Sequence, residues 1–295
     1  MVKEEYAPLK KLFSALITPT HSNEEVNYDA LRRLVELQLG DGVEGFYLCG
    51  SSGEGLLLTL EERKKILECV LDAVRGRVPV VSHVGTIRTR DVADLARHAK
   101  SAGADAVSMI PPYYYKFSMD EIMDYYEDVL RAAPGIQAIV YNIPQFTGVE
   151  FSKDNAHRLL RNPGIIGIKH TSNNLYSMER MHTEYPDKVI FNGFDEQFLG
   201  ALSMGAEATI GTTVNLFAPR FIKIRALFQA GRMEEAYAEQ VQVNLRVEAM
   251  VKAGIFNAVK YGFALRGVDC GTCRAPFRPL TGESKEKLEQ LLLQG

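Results

Sequence analysis

One pattern recurs eight times along most of this chain: a short apolar run, then a stretch whose apolar residues return at helical spacing. The runs fall at residues 11–18, 45–49, 78–84, 106–110, 136–141, 165–168, 188–192 and 207–211. Helical stretches follow near 28–40, after Thr59, at 89–102, at 118–132, briefly after Ser152, at 175–185, at 196–204 and after Pro219. Thr59 and Glu62 have the spacing of a capping box. Such alternation predicts an α/β fold with a parallel sheet, and eight units suit a closed (β/α)8 TIM barrel. A doubly wound open sheet is the alternative, but its Gly-x-Gly-x-x-Gly phosphate turn is missing. The barrel is assigned to residues 1–231. Residues 232–295 are expected to form a C-terminal helical extension packed on it, with helices at 234–251, 254–265 and 284–293, because no low-complexity linker intervenes.

Composition narrows the function. Of 295 residues, 46% are hydrophobic and 24% charged, enough for a large core. The net charge of -3 gives no electrostatic footprint for nucleic acid. Residues 1–5 are charged and lack the apolar segment of a signal peptide, and no apolar run approaches the roughly 20 residues of a membrane span. The cytoplasm is the expected location. Cys270 and Cys273 are spaced like half a zinc site, but no second cysteine pair or spaced histidines accompany them. Cys49, Cys69, Cys270 and Cys273 are expected to be reduced thiols. The six histidines form no His-Glu-x-x-His pair, so no metal site is expected.

The sixth apolar run ends in Lys169. A charged amine at the end of a buried strand must be paired or must lose its proton. A neutral amine is a nucleophile toward carbonyl carbon. A lone lysine leaving a sheet for water would explain the residue equally well, but unusual residues also stand at the other strand ends, where barrels place their chemistry. The second run leads into Gly50, Ser51, Ser52, Gly53 and Glu54, whose hydroxyls and free backbone N–H groups suit a carboxylate or phosphate. The fourth leads to Tyr113, Tyr114 and Tyr115. The fifth ends in Tyr141, a hydroxyl that can relay a proton. Alternation groups Gly167, Lys169 and Thr171 on one face and turns His170 toward the helices. The seventh leads to Gly193, Phe194, Asp195 and Glu196, whose two neighbouring acids suit sugar hydroxyls or a helix N-terminus. The eighth leads to Thr212.

Taken together, the Gly50–Glu54 turn, the segment 141–144 and the lysine strand resemble the pyruvate-dependent aldolase family that has an N-acetylneuraminate lyase branch and a dihydrodipicolinate synthase branch. The resemblance spans nearly the whole length. It implies a (β/α)8 barrel with a C-terminal helical extension, a homotetramer, and a Schiff base between Lys169 and a 2-keto acid, with no separate cofactor. It implies catalytic roles for Lys169, Tyr141, Ser51 and Tyr114, the last reaching a neighbouring subunit. Substrate contacts are implied for Ser51, Ser52, Thr171, Gly193, Asp195, Glu196, Thr212 and Phe256. Phe146 stands where the synthase branch carries an arginine, which makes the chain similar to the lyase branch. Ser52 replaces a commoner threonine and Thr212 a frequent serine, and both keep the hydroxyl. The implied reaction is reversible cleavage of N-acetylneuraminate to N-acetylmannosamine and pyruvate. A sister aldolase for another 2-keto sugar acid, a catalytically silent sensor of sialic or keto acids, and a synthase using aspartate semialdehyde remain the alternatives. The expected partners are these small molecules, with no nucleic acid and no membrane.

Overall fold

A computed structural model describes residues 4–292; the charged start at residues 1–3 and the end of the helix expected at 284–293 lie outside them. Eight strands close into one parallel barrel in chain order: β1 (Leu12–Ala15), β2 (Gly45–Leu48), β3 (Val80–His83), β4 (Ala106–Met109), β5 (Ala138–Asn142), β6 (Ile165–His170), β7 (Val189–Asn192) and β8 (Ala208–Gly211). β1 closes the ring by pairing with both β2 and β8. Every strand is buried throughout, as expected of a sheet covered on both faces. Alternation divides the side chains. Phe13, Tyr47, Val81, Ile139, Tyr141, Phe191 and Ile210 fill the interior, while Leu12, Phe46, Leu48, Val80, Val107, Val140, Ile168 and Ile190 pack outward on the helices.

One irregularity aims the lysine. Ala138 pairs with Ile165 but Ile139 pairs with Gly167, so β6 carries one extra residue at Ile166. Ile166 belongs to the interior, and strict alternation from it would turn Lys169 outward. The bulge resets the phase, so Lys169 faces inward opposite Tyr141. Gly167 permits it: a Cβ there would lie 2.2 Å from the Val189 carbonyl oxygen. Nothing in the unbroken apolar run at 165–168 announces this bulge.

Other boundaries depart from expectation for local reasons. The strand expected at 11–18 stops at Ala15, after which the chain leaves the barrel wall toward Pro19 and the Thr20–Val26 bridge. The last barrel helix begins at Val214 rather than after Pro219. It runs to Gln229 and absorbs the proline at a kink where Phe217 leaves helical geometry. A 3-10 turn at Asp195–Gln197 precedes the helix Phe198–Ser203, so the stretch expected at 196–204 is split. The capping box at Thr59 forms, with Glu62 N donating to the hydroxyl at 3.2 Å and Thr59 N donating to the Glu62 carboxylate at 2.8 Å.

Helices Met233–Ala253, Ile255–Leu265 and Gly282–Leu292 follow the barrel. They dock through a fully buried ion pair. Lys260 Nζ lies 2.7 Å from Glu54 Oε1, and each side chain is 1% exposed. Arg274 N donates to the other Glu54 oxygen at 2.7 Å, and Lys260 also donates to the Thr272 carbonyl at 2.9 Å. Glu54 closes the glycine and serine turn after β2, so the C-terminal segment pins that turn in place. Removing one partner strands a buried charge, whereas removing both does not. Lys260→Met should therefore lower unfolding stability by about 3–5 kcal/mol, and adding Glu54→Gln should recover part of the loss. Denaturant melts of the two variants check this.

Candidate active site

The C-terminal ends of the strands open onto a cavity of about 260 Å³. Lys169 enters from β6, 4% exposed. Its Nζ lies 3.9 Å from the ring centroid of Tyr141 and 4.5 Å from that of Tyr47. Among the described residues no carboxylate forms an ion pair with it. The amine is thus held against two aromatic faces, an attraction weaker than a buried ion pair. Register explains the closeness, since Tyr141 and Lys169 are paired across β5 and β6. His170 points away and is locked into the wall. Its Nε2 donates to the Asn174 carbonyl at 3.0 Å, and its Nδ1 accepts from the Asn142 amide at 3.0 Å. Burial lowers its pKa, so the imidazole stays neutral.

Hydroxyls and carboxylates complete the wall. Ser51 and Ser52 line the cavity from the β2 turn, and Ser52 Oγ lies 2.7 Å from Thr212 Oγ1 across the mouth. That turn is held by Glu54 and by Thr18, whose hydroxyl donates to the Gly53 carbonyl at 2.8 Å. Thr171 Oγ1 is buried without a hydrogen-bond partner beside Gly193, where a Cβ would come within 1.8 Å of it. Asp195 is buried, and its Oδ2 accepts from Thr213 N at 2.6 Å and Thr213 Oγ1 at 2.7 Å, while Oδ1 has no partner. Burial raises the Asp195 pKa to about 6, against the opposing pull of the Thr213 bonds and the Lys169 charge. Glu196 stands exposed at the rim, and Phe256 closes the cavity from the helix Ile255–Leu265, its ring edge-on to Phe277 at 5.6 Å. Phe146 is an exposed rim residue.

Tyr114 does not join this group. It is 86% exposed, with a left-handed backbone (φ 77°) that turns the ring onto Tyr115, and it lines no part of its own chain's cavity. Tyr113 instead lines an adjoining apolar cavity of about 340 Å³ that shares Ser51, Tyr141 and Phe256 with the first. Three residues of the site escape sequence reasoning. Tyr47 forms part of the seat of the amine, its hydroxyl 3.1 Å from Ser108 Oγ. His83, at the tip of β3, sets its ring perpendicular to Tyr141 at 5.9 Å. Arg63 lies behind His83 and donates to its carbonyl at 2.6 Å. For Tyr47 and His83 the signal was their inward phase near a strand tip. For Arg63, within an amphipathic helix, there was none.

Fold and site define a class: a (β/α)8 barrel whose sixth strand delivers a lone buried amine to a hydroxyl-lined mouth. The chain belongs to the dihydrodipicolinate synthetase family, whose model it matches over residues 8–294. An N-acetylneuraminate lyase of Rhizobium meliloti (strain 1021) is 40% identical over 270 residues, which is 92% of this chain and 90% of that protein. CdNal of Clostridium difficile, solved in complex with mannosamine, matches 97% of this chain and 99% of its own, with a TM-score of 0.94 and 32% identity. A Ruminococcus gnavus sialic acid aldolase, solved as a catalytic lysine mutant, matches 100% of this chain and 98% of its own, with a TM-score of 0.94 and 29% identity.

The raised pKa of Asp195 has a cost that depends on pH. An unfolded aspartate titrates near 3.9, so between about 4 and 6 the folded state binds the extra proton and stability falls as pH rises. Relative to the wild type, Asp195→Asn should gain about 2–3 kcal/mol on going from pH 4 to pH 7. Denaturant melts at the two pH values measure it; equal pH dependence in both proteins would mean that Asp195 ionises normally.

Proposed function

We propose that this chain is a Schiff-base aldolase that cleaves open-chain N-acetylneuraminate reversibly to N-acetylmannosamine and pyruvate. The observation that carries this is the buried Lys169 amine, without a carboxylate partner among the described residues, against the Tyr141 phenol in a cavity walled by hydroxyls. The names of the relatives support the same substrate. The apolar rim at Phe146 offers no cation for the second carboxylate of a synthase substrate.

In this scheme neutral Lys169 attacks the C2 ketone, and the carbinolamine loses water to give an iminium. Tyr141 takes the proton of the C4 hydroxyl as its own proton moves on through Ser51 and through Tyr114 of a neighbouring copy. The C3–C4 bond breaks, its electron pair flows into the iminium, and the aldehyde of N-acetylmannosamine leaves an enamine. Protonation at C3 and addition of water release pyruvate and return the free amine. The protonated nitrogen is the electron sink, so the scheme calls on no metal or separate cofactor. Ser51 and Ser52, with the N–H groups of their turn, hold the carboxylate. Thr171, Gly193, Asp195, Glu196 and Thr212 face the polyol, and Phe256 covers its tail. Unmatched polar groups would then penalise analogues that lack those hydroxyls. The exposed orientation of Tyr114 suits a homotetramer in which that phenol serves an adjacent mouth. Among the described residues no helix is long and apolar enough to cross a membrane, in keeping with a cytoplasmic enzyme.

Borohydride reduction in the presence of pyruvate should add one pyruvate-derived group to Lys169, read by peptide mass; a label elsewhere, or none, rejects the scheme. Tyr141→Phe should retain that label while slowing release of pyruvate from N-acetylneuraminate by about 10²–10⁴. An unchanged rate would remove Tyr141 from the proton path.

A further inference from the structure

Behind the cavity wall lies another buried cation that the scheme above does not use. Arg63, on the helix Leu60–Val74, is 3% exposed. Its guanidinium donates to the backbone carbonyls of His83 at 2.6 Å and Gly85 at 3.2 Å, and its Nε is buried without a partner. Among the described residues no carboxylate pairs with it. The titratable groups around it are neutral near pH 7. Burial pushes the Cys49 thiol up to about 11 and raises the phenols of Tyr47, Tyr113 and Tyr125. Burial, then the charges of Arg63 and Lys169, hold the His83 imidazole well below its ordinary range. The guanidinium itself keeps its proton in any protein setting. A buried charge is ordinarily paired, since carbonyl dipoles alone repay its desolvation poorly.

The geometry connects this cation to the hydroxyl turn. Arg63 grips the carbonyl of His83, whose Nδ1 lies 3.1 Å from the carbonyl oxygen of Cys49. Cys49 is two residues ahead of Ser51. The guanidinium therefore sits one imidazole behind the turn that faces the cavity, in a region where burial leaves a charge poorly screened.

We propose that Arg63 is a positioning residue whose missing counter-ion is the carboxylate of the bound 2-keto acid, held at the Ser51–Ser52 turn. The inference rests on that turn being the carboxylate cradle of the proposed aldolase. A strut that merely braced β3 would serve charged and uncharged ketones alike. A counter-ion favours the anion only.

Pyruvate and pyruvamide share size and ketone but differ in charge, so they separate the two roles. Each is titrated against the full-length protein under borohydride, and the adduct at Lys169 is counted by mass. Arg63→Gln keeps a donor and loses the charge. It should require about tenfold more pyruvate for half-maximal labelling while pyruvamide stays within about twofold. Arg63→Lys keeps the charge and loses the planar fork, and should hold the preference for pyruvate near that of the unaltered protein. Equal weakening of both ketones in Arg63→Gln, or no weakening of pyruvate, overturns the inference. Should Arg63→Gln not fold, Arg63→Lys decides it: a preserved pyruvate preference supports the charge, and a lost one overturns it. An unaltered protein that takes up neither ketone overturns the Schiff-base scheme itself, and the role of Arg63 with it.

Discussion

An amine that no carboxylate neutralises among the described residues governs the barrel mouth. A carboxylate at ion-pair distance from Lys169 would stabilise its charged form and screen it from a ligand. Two phenol rings occupy that space instead, and ring faces attract a cation by only about 0.5–2 kcal/mol. The surroundings follow from this choice. Asp195, an acid of the same cavity, is secured by Thr213 through one oxygen, which leaves the other directed at the small residue Gly211. Gly193 and Gly211 clear room on either side for Thr171 and Asp195, because a methyl group at either position would collide with those oxygens. The mouth thus keeps Thr171 Oγ1 and Asp195 Oδ1 uncommitted by setting glycines beside them.

Stability and chemistry meet in the turn after β2. The same few residues present two serines to the cavity and bury Glu54 against Lys260, more than 200 positions away in the chain. The C-terminal helices are therefore joined to the barrel at a chemically sensitive place as well as along their apolar faces. Helix Ile255–Leu265 reinforces the connection, since it carries Lys260 on one side and Phe256 at the cavity.

Much of this was legible because barrels convert sequence order into spatial order. A residue just past an apolar run lies at the mouth, so Ser51, Tyr141, Lys169, Gly193 and Thr212 gather without any knowledge of tertiary contacts. Alternation then separates Lys169 from His170. The missing parts depend on geometry that no local pattern encodes. The bulge at Ile166 hides in an apolar run because its neighbours are apolar on both faces. The left-handed backbone at Tyr114, a residue with a large side chain, is rare enough that no local pattern announces it. Arg63 looks like any polar residue of a surface helix until packing brings it beneath β3. Pro219 marks a helix start by rule, yet here the helix bends around it.

The extra residue in β6 is expendable for the orientation of the lysine. Ile165 pairs with Ala138 facing the helices and Lys169 pairs with Tyr141 facing the interior, three steps apart on β5 but four on β6. Deleting Ile166 would equalise the two counts, and plain alternation would still carry the amine to the mouth. This short segment can therefore lose one codon and keep both scaffold and amine.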